Sequence, residues 1–366
     1  MIRPREMNPT LLLIAVLLAT PVAASTRTPN QGGTPVKPAA TSAAPLPIEG
    51  AMPALGKGEW INSPPLSPAD LRGKVVLVNI WNYSCINWIR QVPYVRAWAQ
   101  AYRDRGLVVI GVNSPEFGFE HDVGNVRRAA KAMGVTYPIV MDNDHAVWRA
   151  FENEAWPALY YVDAKGRIRG HYYGEGAYEE SQAILQQLLA EAGHANAAQA
   201  RPSVEPRPVE VAADWQSLRS PETYVGYERA EHFESPGGLV RDKRHVYTAP
   251  ARLGLNHWAL AGDWTIGRQP TVLNVVGGKL VLRFHARDLH LVMGPSTSSA
   301  PVRFRVTLDG REPGSDHGID VAADGSGTVT EPRMYQLIRQ SGSIQDHTFE
   351  IEFLDAGVET FSFTFG

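Results

Sequence analysis

The pattern of apolar residues changes once along this chain, and the change divides it into two folding units. Up to about residue 193, short apolar runs such as Val75–Trp81 alternate with segments of helical spacing such as Asn87–Tyr102. From residue 215 onward only strand-like runs remain, and the last, Thr360–Phe365, alternates phenylalanine with smaller residues. The 366 residues are also too many for one ordinary domain. We therefore expect an α/β domain followed by an all-β sandwich or jelly-roll domain.

Two segments without an apolar period are expected to connect these units. Residues 25–48 are rich in Pro, Thr, Ala and Gly, which predicts a flexible tether. Residues 194–214 are first Ala-rich and then Pro-rich, which predicts a linker between the domains. The two domains are accordingly predicted at residues 49–193 and 215–366.

The first 24 residues are typical of a secretory signal peptide. Arg3 and Arg5 precede the apolar run Leu11–Ala19, and small residues follow up to Ala24. The run is short for a membrane span, so an uncleaved anchor is the alternative to cleavage. We expect an exported protein, periplasmic or extracellular, that is soluble once the signal peptide is removed.

Composition and motifs argue against several classes of function. The formal net charge is −3 and the basic residues are dispersed, so no nucleic-acid-binding surface is expected. His285 and His290 are five residues apart, and no H-E-x-x-H or Cys/His cluster occurs, so no metal site is predicted. The sequence also lacks a Gly-rich phosphate loop, and no cofactor is expected.

Cys85 is the only cysteine and cannot form an internal disulfide. It lies between the apolar run that ends at Trp81 and the helical segment that begins near Asn87. Unpaired amides at a helix N-terminus favour a thiolate, and the sharp strand-to-helix turn is expected to leave the sulfur near the surface. The alternative is that Cys85 is a small, inert, packed residue.

The segment Trp81–Trp88 resembles the active site of thioredoxin-like proteins, in particular the redoxin domain in the C-terminal region of DipZ-like cytochrome c biogenesis proteins, where the motif reads W-x-Y-S-C-I-N-C. Three further elements agree with this resemblance: Pro93, Ser114–Phe117 and Trp156–Ala158. The resemblance covers residues 49–193. The β domain resembles the one that follows the redoxin domain in DipZ-like proteins.

The second cysteine of that motif falls on Trp88, which cannot resolve a mixed disulfide. The resemblance therefore implies thiol–disulfide exchange through Cys85 alone, with an outside thiol releasing it. Its partners would be protein or small-molecule thiols and disulfides, with a membrane thiol reductant as a candidate donor. Aligned on Cys85, the peroxiredoxin pattern P-x-x-x-T-x-x-C falls on Val78 and Asn82 and is not met.

The resemblance also implies a substrate groove beside Cys85. A cis-proline would present a backbone edge to a peptide, and tryptophans would form an apolar rim. The implied groove residues are Trp81, Trp88, Trp156 and Pro157. Glu116 is a candidate proton acceptor, although an exposed loop glutamate is usually only solvated. The tryptophans and Pro157 have packing roles as their alternative.

Two functions of different class remain. One is a monothiol oxidoreductase-type protein, which needs an exposed sulfur of low pKa. The other is a redox-inactive, degenerate redoxin that binds peptide or glycan and tolerates loss of the thiol. Glycan binding would use aromatic residues of the β domain, although core packing also explains them. The candidates are Trp215, Tyr224, Tyr227, Trp258 and Trp264.

Overall fold

The computed structural model describes residues 45–200, 202–296 and 300–366. The predicted signal peptide and residues 25–44 of the predicted tether lie outside these ranges. Within them, no helix is both long and apolar enough to cross a membrane.

The first domain is a mixed seven-stranded sheet with helices packed on it, as predicted. In order along the chain its strands are β1 (Gly50–Ala51), β2 (Trp60–Ile61), β3 (Val75–Trp81), β4 (Leu107–Asn113), β5 (Ile139–Met141), β6 (Ala158–Val162) and β7 (Arg167–Tyr173). The helices are α1 (Ile86–Tyr102), α2 (Val123–Ala132), α3 (Ala146–Ala150) and α4 (Tyr178–Glu191). The strand order is β1-β7-β6-β3-β4-β5-β2, with β3, β4 and β5 parallel.

Strand β3 is the centre of this domain and positions the candidate site. All seven of its residues are buried, because each face of the strand contributes to a different core cluster. Val75 and Leu77 pack in the cluster that contains α1 and α4, whereas Val76 and Val78 pack in the cluster on the α3 side. The chain leaves β3 at Trp81 and enters α1 directly after Cys85.

The strands that the structure describes in the second domain all pair in antiparallel fashion. Its strands are β8 (Thr223–Tyr224), β9 (Arg244–Tyr247), β10 (Trp258–Ile266), β11 (Thr271–Leu273), β12 (Lys279–Phe284), β13 (Asp288–Pro295), β14 (Val302–Leu308), β15 (Ser326–Val329), β16 (Arg333–Arg339), β17 (His347–Phe353) and β18 (Val358–Phe365). One sheet contains β9, β11, β18, β13 and β16, with β8 beside β18, and the other contains β12, β17, β14 and β15.

Strand β10 joins the two sheets. Its first half pairs with β12 and its second half, from Gly262, pairs with β9. Gly262 has φ +96°, and a Cβ there would lie 2.9 Å from the Cα of Gly278, so the switch requires glycine. The inner faces meet in one core, where the rings of Phe349 and Phe363 are 6.0 Å apart. The predicted all-β sandwich is confirmed.

The predicted connecting segments are held against the first domain where the structure describes them. Arg169 donates hydrogen bonds to the carbonyls of Leu46 and Pro47 at 2.7 and 2.9 Å. In the linker, Ala197 is buried in the first domain's core, and Glu210 forms a 2.7 Å ion pair with Arg96 of α1. The start of the linker is therefore packed, because Ala197 and Ala200 bury apolar surface that a flexible linker would expose.

The two domains share an aromatic contact. Phe361 of β18 is 4% exposed and belongs to the first domain's core cluster. Its ring centroid lies 5.1 Å from that of Phe117 and 4.8 Å from that of Phe119. Next to this contact, Gln269 accepts a hydrogen bond from the Gly118 amide at 3.2 Å. Phe361 thus anchors the β domain to the loop that follows β4.

Candidate thiol site

Cys85 is the N-cap residue of α1 and is partly buried. The backbone amides of Trp88 and Asn87, in the first turn of α1, act on its sulfur and favour the thiolate. On the other side, the sulfur lies 3.9 Å from the carbonyl oxygen of Trp156. The peptide bond between Trp156 and Pro157 is cis, as the resemblance implied. The structure therefore brings Cys85, Trp156 and Pro157 together.

The thiol is held in its protonated form. Burial is the largest influence and raises the pKa of Cys85, and the carboxylates of Glu222 and Glu116 raise it further. The two amides at the start of α1 lower the pKa but do not outweigh burial. The expectation of a thiolate at this helix terminus is wrong, because the terminus is covered and faces negative charge. Glu222 belongs to the β domain, so both domains set this pKa.

Trp81 and Trp88 are not part of an exposed groove. Both side chains are fully buried, and their rings stack with centroids 4.0 Å apart and planes 6° apart. The Trp88 indole donates a hydrogen bond to the Asn79 side chain at 3.2 Å. The prediction that these tryptophans form a rim is wrong, because the first turn of α1 directs Trp88 inward onto β3.

Trp156 is the predicted groove tryptophan that keeps partial exposure beside Cys85. Its indole donates a hydrogen bond to the Ser114 carbonyl at 2.9 Å, and its ring lies 4.3 Å from that of Trp148. Pro157 is buried behind it. These contacts fix Trp156 against the loop after β4, so the wall beside the sulfur is rigid.

A row of neutral amides lies beneath the site. Asn79 donates to Gln91 of α1 at 2.8 Å, and Gln91 donates to the Gly174 carbonyl at 3.2 Å. Together with the Trp88 indole they form one buried hydrogen-bonded series. Neither amide titrates, so this series offers no base for the Cys85 proton. In the sequence, the signal for this buried series is Asn79, a polar residue inside the apolar run of β3.

Glu116 is not the solvated loop residue that was considered as an alternative. Its side chain is 9% exposed and forms a 2.8 Å ion pair with Arg229. It also accepts hydrogen bonds from the Tyr224 hydroxyl at 2.7 Å and from Asn82 at 3.3 Å. Two of these three partners belong to the β domain. Glu116 is therefore a polar link between the domains, next to the thiol.

Glu120 is a site residue that sequence reasoning missed. It is fully buried and accepts a 2.7 Å hydrogen bond from the hydroxyl of Ser84, which precedes Cys85. Its other oxygen accepts from the amides of Glu116 and Phe117 at 2.8 and 3.1 Å. Burial, and then the nearby Glu116 charge, raise the pKa of Glu120 to about 7. The sequence does carry a signal for Glu120, because it lies three residues after Phe117, which is the spacing of a glutamate that caps a helix.

Beyond the thiol, the described residues offer neither a cluster that could hold a metal ion nor a joint aromatic platform. Among the residues that the structure describes, no group of three or more His, Cys, Asp or Glu residues could hold a metal ion. Trp258 and Trp264 are buried in the sandwich, and Tyr224 is bound to Glu116. Tyr227 packs against the sandwich core, so Trp215, which is 59% exposed, is the candidate left open to solvent. The candidate aromatics therefore do not form one platform for a glycan.

Comparison with known proteins matches both domains. Residues 61–171 match the AhpC/TSA family, and residues 220–366 match the family described as thioredoxin like C-terminal domain. Protein DipZ of Mycobacterium tuberculosis is 34% identical over 332 residues, which cover 88% of this chain and 44% of DipZ. This chain thus spans less than half the length of that relative.

Shorter relatives match the first domain alone. Thiol-disulfide oxidoreductase YkuV of Bacillus subtilis is 31% identical over 141 residues, which cover 38% of this chain and 95% of YkuV. The solution structure of a thioredoxin-like protein in the oxidised form is 32% identical, covers 39% of this chain and 96% of its own, and has a TM-score of 0.36. Because it covers nearly all of YkuV at this identity, the chain belongs to the thioredoxin-like family of thiol–disulfide oxidoreductases.

Proposed function

We propose that this protein is an exported thiol–disulfide exchange protein that works through Cys85 alone. The observation that carries the proposal is the placement of the sulfur. It lies between the amides at the start of α1 and the carbonyl of Trp156, in a residue that keeps partial exposure. A disulfide-containing segment that hydrogen-bonds to the Trp156 edge would present its sulfur to Cys85. Export is proposed from the signal-like pattern of residues 1–24.

The exchange needs two displacements. The Cys85 thiol first loses its proton, and the thiolate attacks one sulfur of the partner disulfide. A mixed disulfide forms and the partner's other sulfur leaves as a thiolate. An external thiolate, from a small thiol or a membrane-bound thiol reductant, then attacks the partner's sulfur in the mixed disulfide, forms a disulfide with it and displaces the Cys85 thiolate, which takes up a proton. The external thiol thereby releases Cys85 for another cycle, which this site, lacking a second cysteine, cannot do by itself.

The raised pKa defines how such a protein would behave. At neutral pH only a small fraction of Cys85 is ionised, so exchange is slow and accelerates as pH rises. The few thiolates present are strong nucleophiles, because intrinsic reactivity grows with pKa. Slow, pH-dependent exchange is therefore the kinetic signature of the proposal.

A second function is favoured by one observation. Trp88 fills the position of the second cysteine and is locked by stacking on Trp81 and by its hydrogen bond to Asn79. This packing suits a redoxin domain that has lost turnover and binds a peptide segment along the Trp156 edge. Such a protein would tolerate Cys85→Ser without loss of binding.

One experiment separates the two functions. The rate of Cys85 alkylation is measured against pH in the folded protein, with urea-unfolded protein as the reference and Cys85→Ser as the blank. Exchange predicts labelling of the folded protein that rises with pH, and a mixed disulfide trapped with glutathione disulfide above about pH 8. Labelling confined to unfolded protein would eliminate exchange and leave the binding function.

A further inference from the structure

A pocket opens beside the start of β3, whereas Cys85 follows the end of that strand. Its volume is about 670 Å³. Residues of three segments, 52–56, 66–72 and 162–166, line it together with Val76. Pockets of this size in proteins hold small organic molecules, and the proposed exchange reaction makes no use of this one.

Backbone hydrogen bonds hold the three segments together. The amide of Met52 donates to the carbonyl of Gly166 at 2.8 Å. The amide of Gly73, directly after the second segment, donates to the carbonyl of Ala164 at 3.1 Å. Because the walls are tied to one another by their main chains, the pocket is preformed and a ligand does not have to order them.

Most of the lining is aliphatic. Leu55, Leu71 and Val76 are buried, and Met52 and Leu66 are half-buried, so these two keep apolar surface that a ligand can cover. Among the described residues that line the pocket there is no aromatic side chain. The lining therefore suits a flexible aliphatic chain better than a ring that needs a stacking partner.

The charges at the pocket do not balance. Asp163 is the acidic residue of the lining, and its carboxylate already forms ion pairs with Arg167 at 2.7 Å and with Arg169 at 3.1 Å. The basic residues of the lining are Arg72 and Lys165, which are both exposed, and among the described residues their side chains have no hydrogen-bond or ion-pair partner. They adjoin the two residues that the 3.1 Å backbone hydrogen bond joins, so they lie on the same rim. The pocket thus combines an apolar body with a positive rim.

We propose that this pocket binds a free fatty acid of medium length, with its aliphatic chain against Met52 and Leu66 and its carboxylate between Arg72 and Lys165. A guanidinium group matches a carboxylate in geometry and can donate two parallel hydrogen bonds to it. Each methylene group that the pocket buries is expected to tighten binding about fourfold. This binding site goes beyond the exchange function and does not depend on Cys85.

The test measures binding of decanoate to the full chain, below the concentration at which decanoate forms micelles. We expect a saturable shift of the ¹³C-methyl NMR signal of Met52, which lines the pocket, with Met293 of the sandwich core as the internal control. Octanoate has two methylene groups fewer and is expected to bind about fifteenfold more weakly. Decylammonium has a chain of similar length and the opposite charge, and we expect it to bind about tenfold more weakly than decanoate.

A pair of matched double variants tests the role of the rim. Arg72→Gln combined with Lys165→Gln removes both positive charges of the lining and is expected to make decanoate and decylammonium bind equally. Lys243→Gln combined with Arg252→Gln removes two exposed positive charges of the β domain, outside the pocket, and is expected to keep the preference for decanoate.

Two single variants complete the test. Leu66→Asp puts a negative charge on the apolar wall and is expected to weaken decanoate binding at least about tenfold. Cys85→Ser is expected to bind decanoate like the parent, so this proposal and the proposed exchange function can fail separately. Absence of a saturable Met52 shift, equal binding of decanoate and decylammonium by the parent, or an unchanged preference in the variant that lacks Arg72 and Lys165 would overturn the proposal.

Discussion

Replacing Trp88 with alanine is expected to lower the free energy of unfolding by about 6 kcal/mol. The indole is fully buried, and removing a buried aromatic side chain costs about 3–5 kcal/mol. Loss of stacking on Trp81, at 4.0 Å, adds about 0.5–1 kcal/mol. Loss of the 3.2 Å hydrogen bond leaves the Asn79 oxygen unpaired and adds about 1 kcal/mol. The estimate takes the middle of these ranges.

Trp88→Phe is the matched control, because it keeps an aromatic ring on Trp81 and removes the indole N–H. We expect a loss of about 2 kcal/mol, from the missing hydrogen bond and the smaller ring. Both variants are measured by urea unfolding followed by far-UV circular dichroism, since tryptophan fluorescence changes with the substitution itself. A cost below about 2 kcal/mol for Trp88→Ala, or equal costs for both variants, would refute the packed role of Trp88.

Three further predictions concern the thiol and the domain contact. Glu222→Gln is expected to speed alkylation of Cys85 at about pH 8, where Glu222 is charged even though burial raises its pKa to about 7, because that charge raises the thiol pKa; an unchanged rate would show that this charge does not act on the sulfur. Burial raises the pKa of Glu120 from 4.5 to about 7, so between these pH values the folded state keeps a proton that the unfolded state loses. The free energy of unfolding is therefore expected to fall by up to about 3 kcal/mol as pH rises from about 5 to 8. Urea unfolding at both pH values should show this slope in the parent and a smaller one in Glu120→Gln, because burial also raises the pKa of Glu222 to about 7 and Glu222 keeps its own part of the slope. Phe361→Ala is expected to lower the free energy of unfolding by about 3–5 kcal/mol and to make the boundary between the domains sensitive to limited proteolysis. A digestion pattern like that of the parent would mean that Phe361 does not anchor the domains.

The architecture could be predicted because its signals are local. The buried run of β3 and the helical spacing of α1 are read directly from neighbouring residues, and so is the loss of helical periods after residue 215. The same holds for the position of Cys85, which depends only on where β3 ends and α1 begins. Local pattern therefore gave both the fold class and the place of the thiol.

The environment of the thiol could not be predicted, because its determinants are distant in sequence. Glu116 receives its hydrogen bond from Tyr224, 108 residues away, and its ion pair from Arg229. The direction of Trp88 depends on the rotational phase of α1 against β3, which the sequence near Cys85 does not reveal. The amides at the start of α1 alone predict a low pKa for Cys85, because this prediction leaves out the charges that the second domain supplies.

The acidity of Cys85 is therefore a property of the docked pair of domains. Beneath the sulfur, Asn79 and Gln91 are neutral and set no charge. Above it, burial and the Glu222 carboxylate both suppress ionisation, and Glu222 lies in the β domain. A change that separates the domains removes the Glu222 charge and admits water to the site from the side of the β domain, while the amides of α1 that favour the thiolate stay in place. Phe361→Ala should consequently speed alkylation more than Glu222→Gln does, because the single substitution Glu222→Gln removes the charge and leaves the burial.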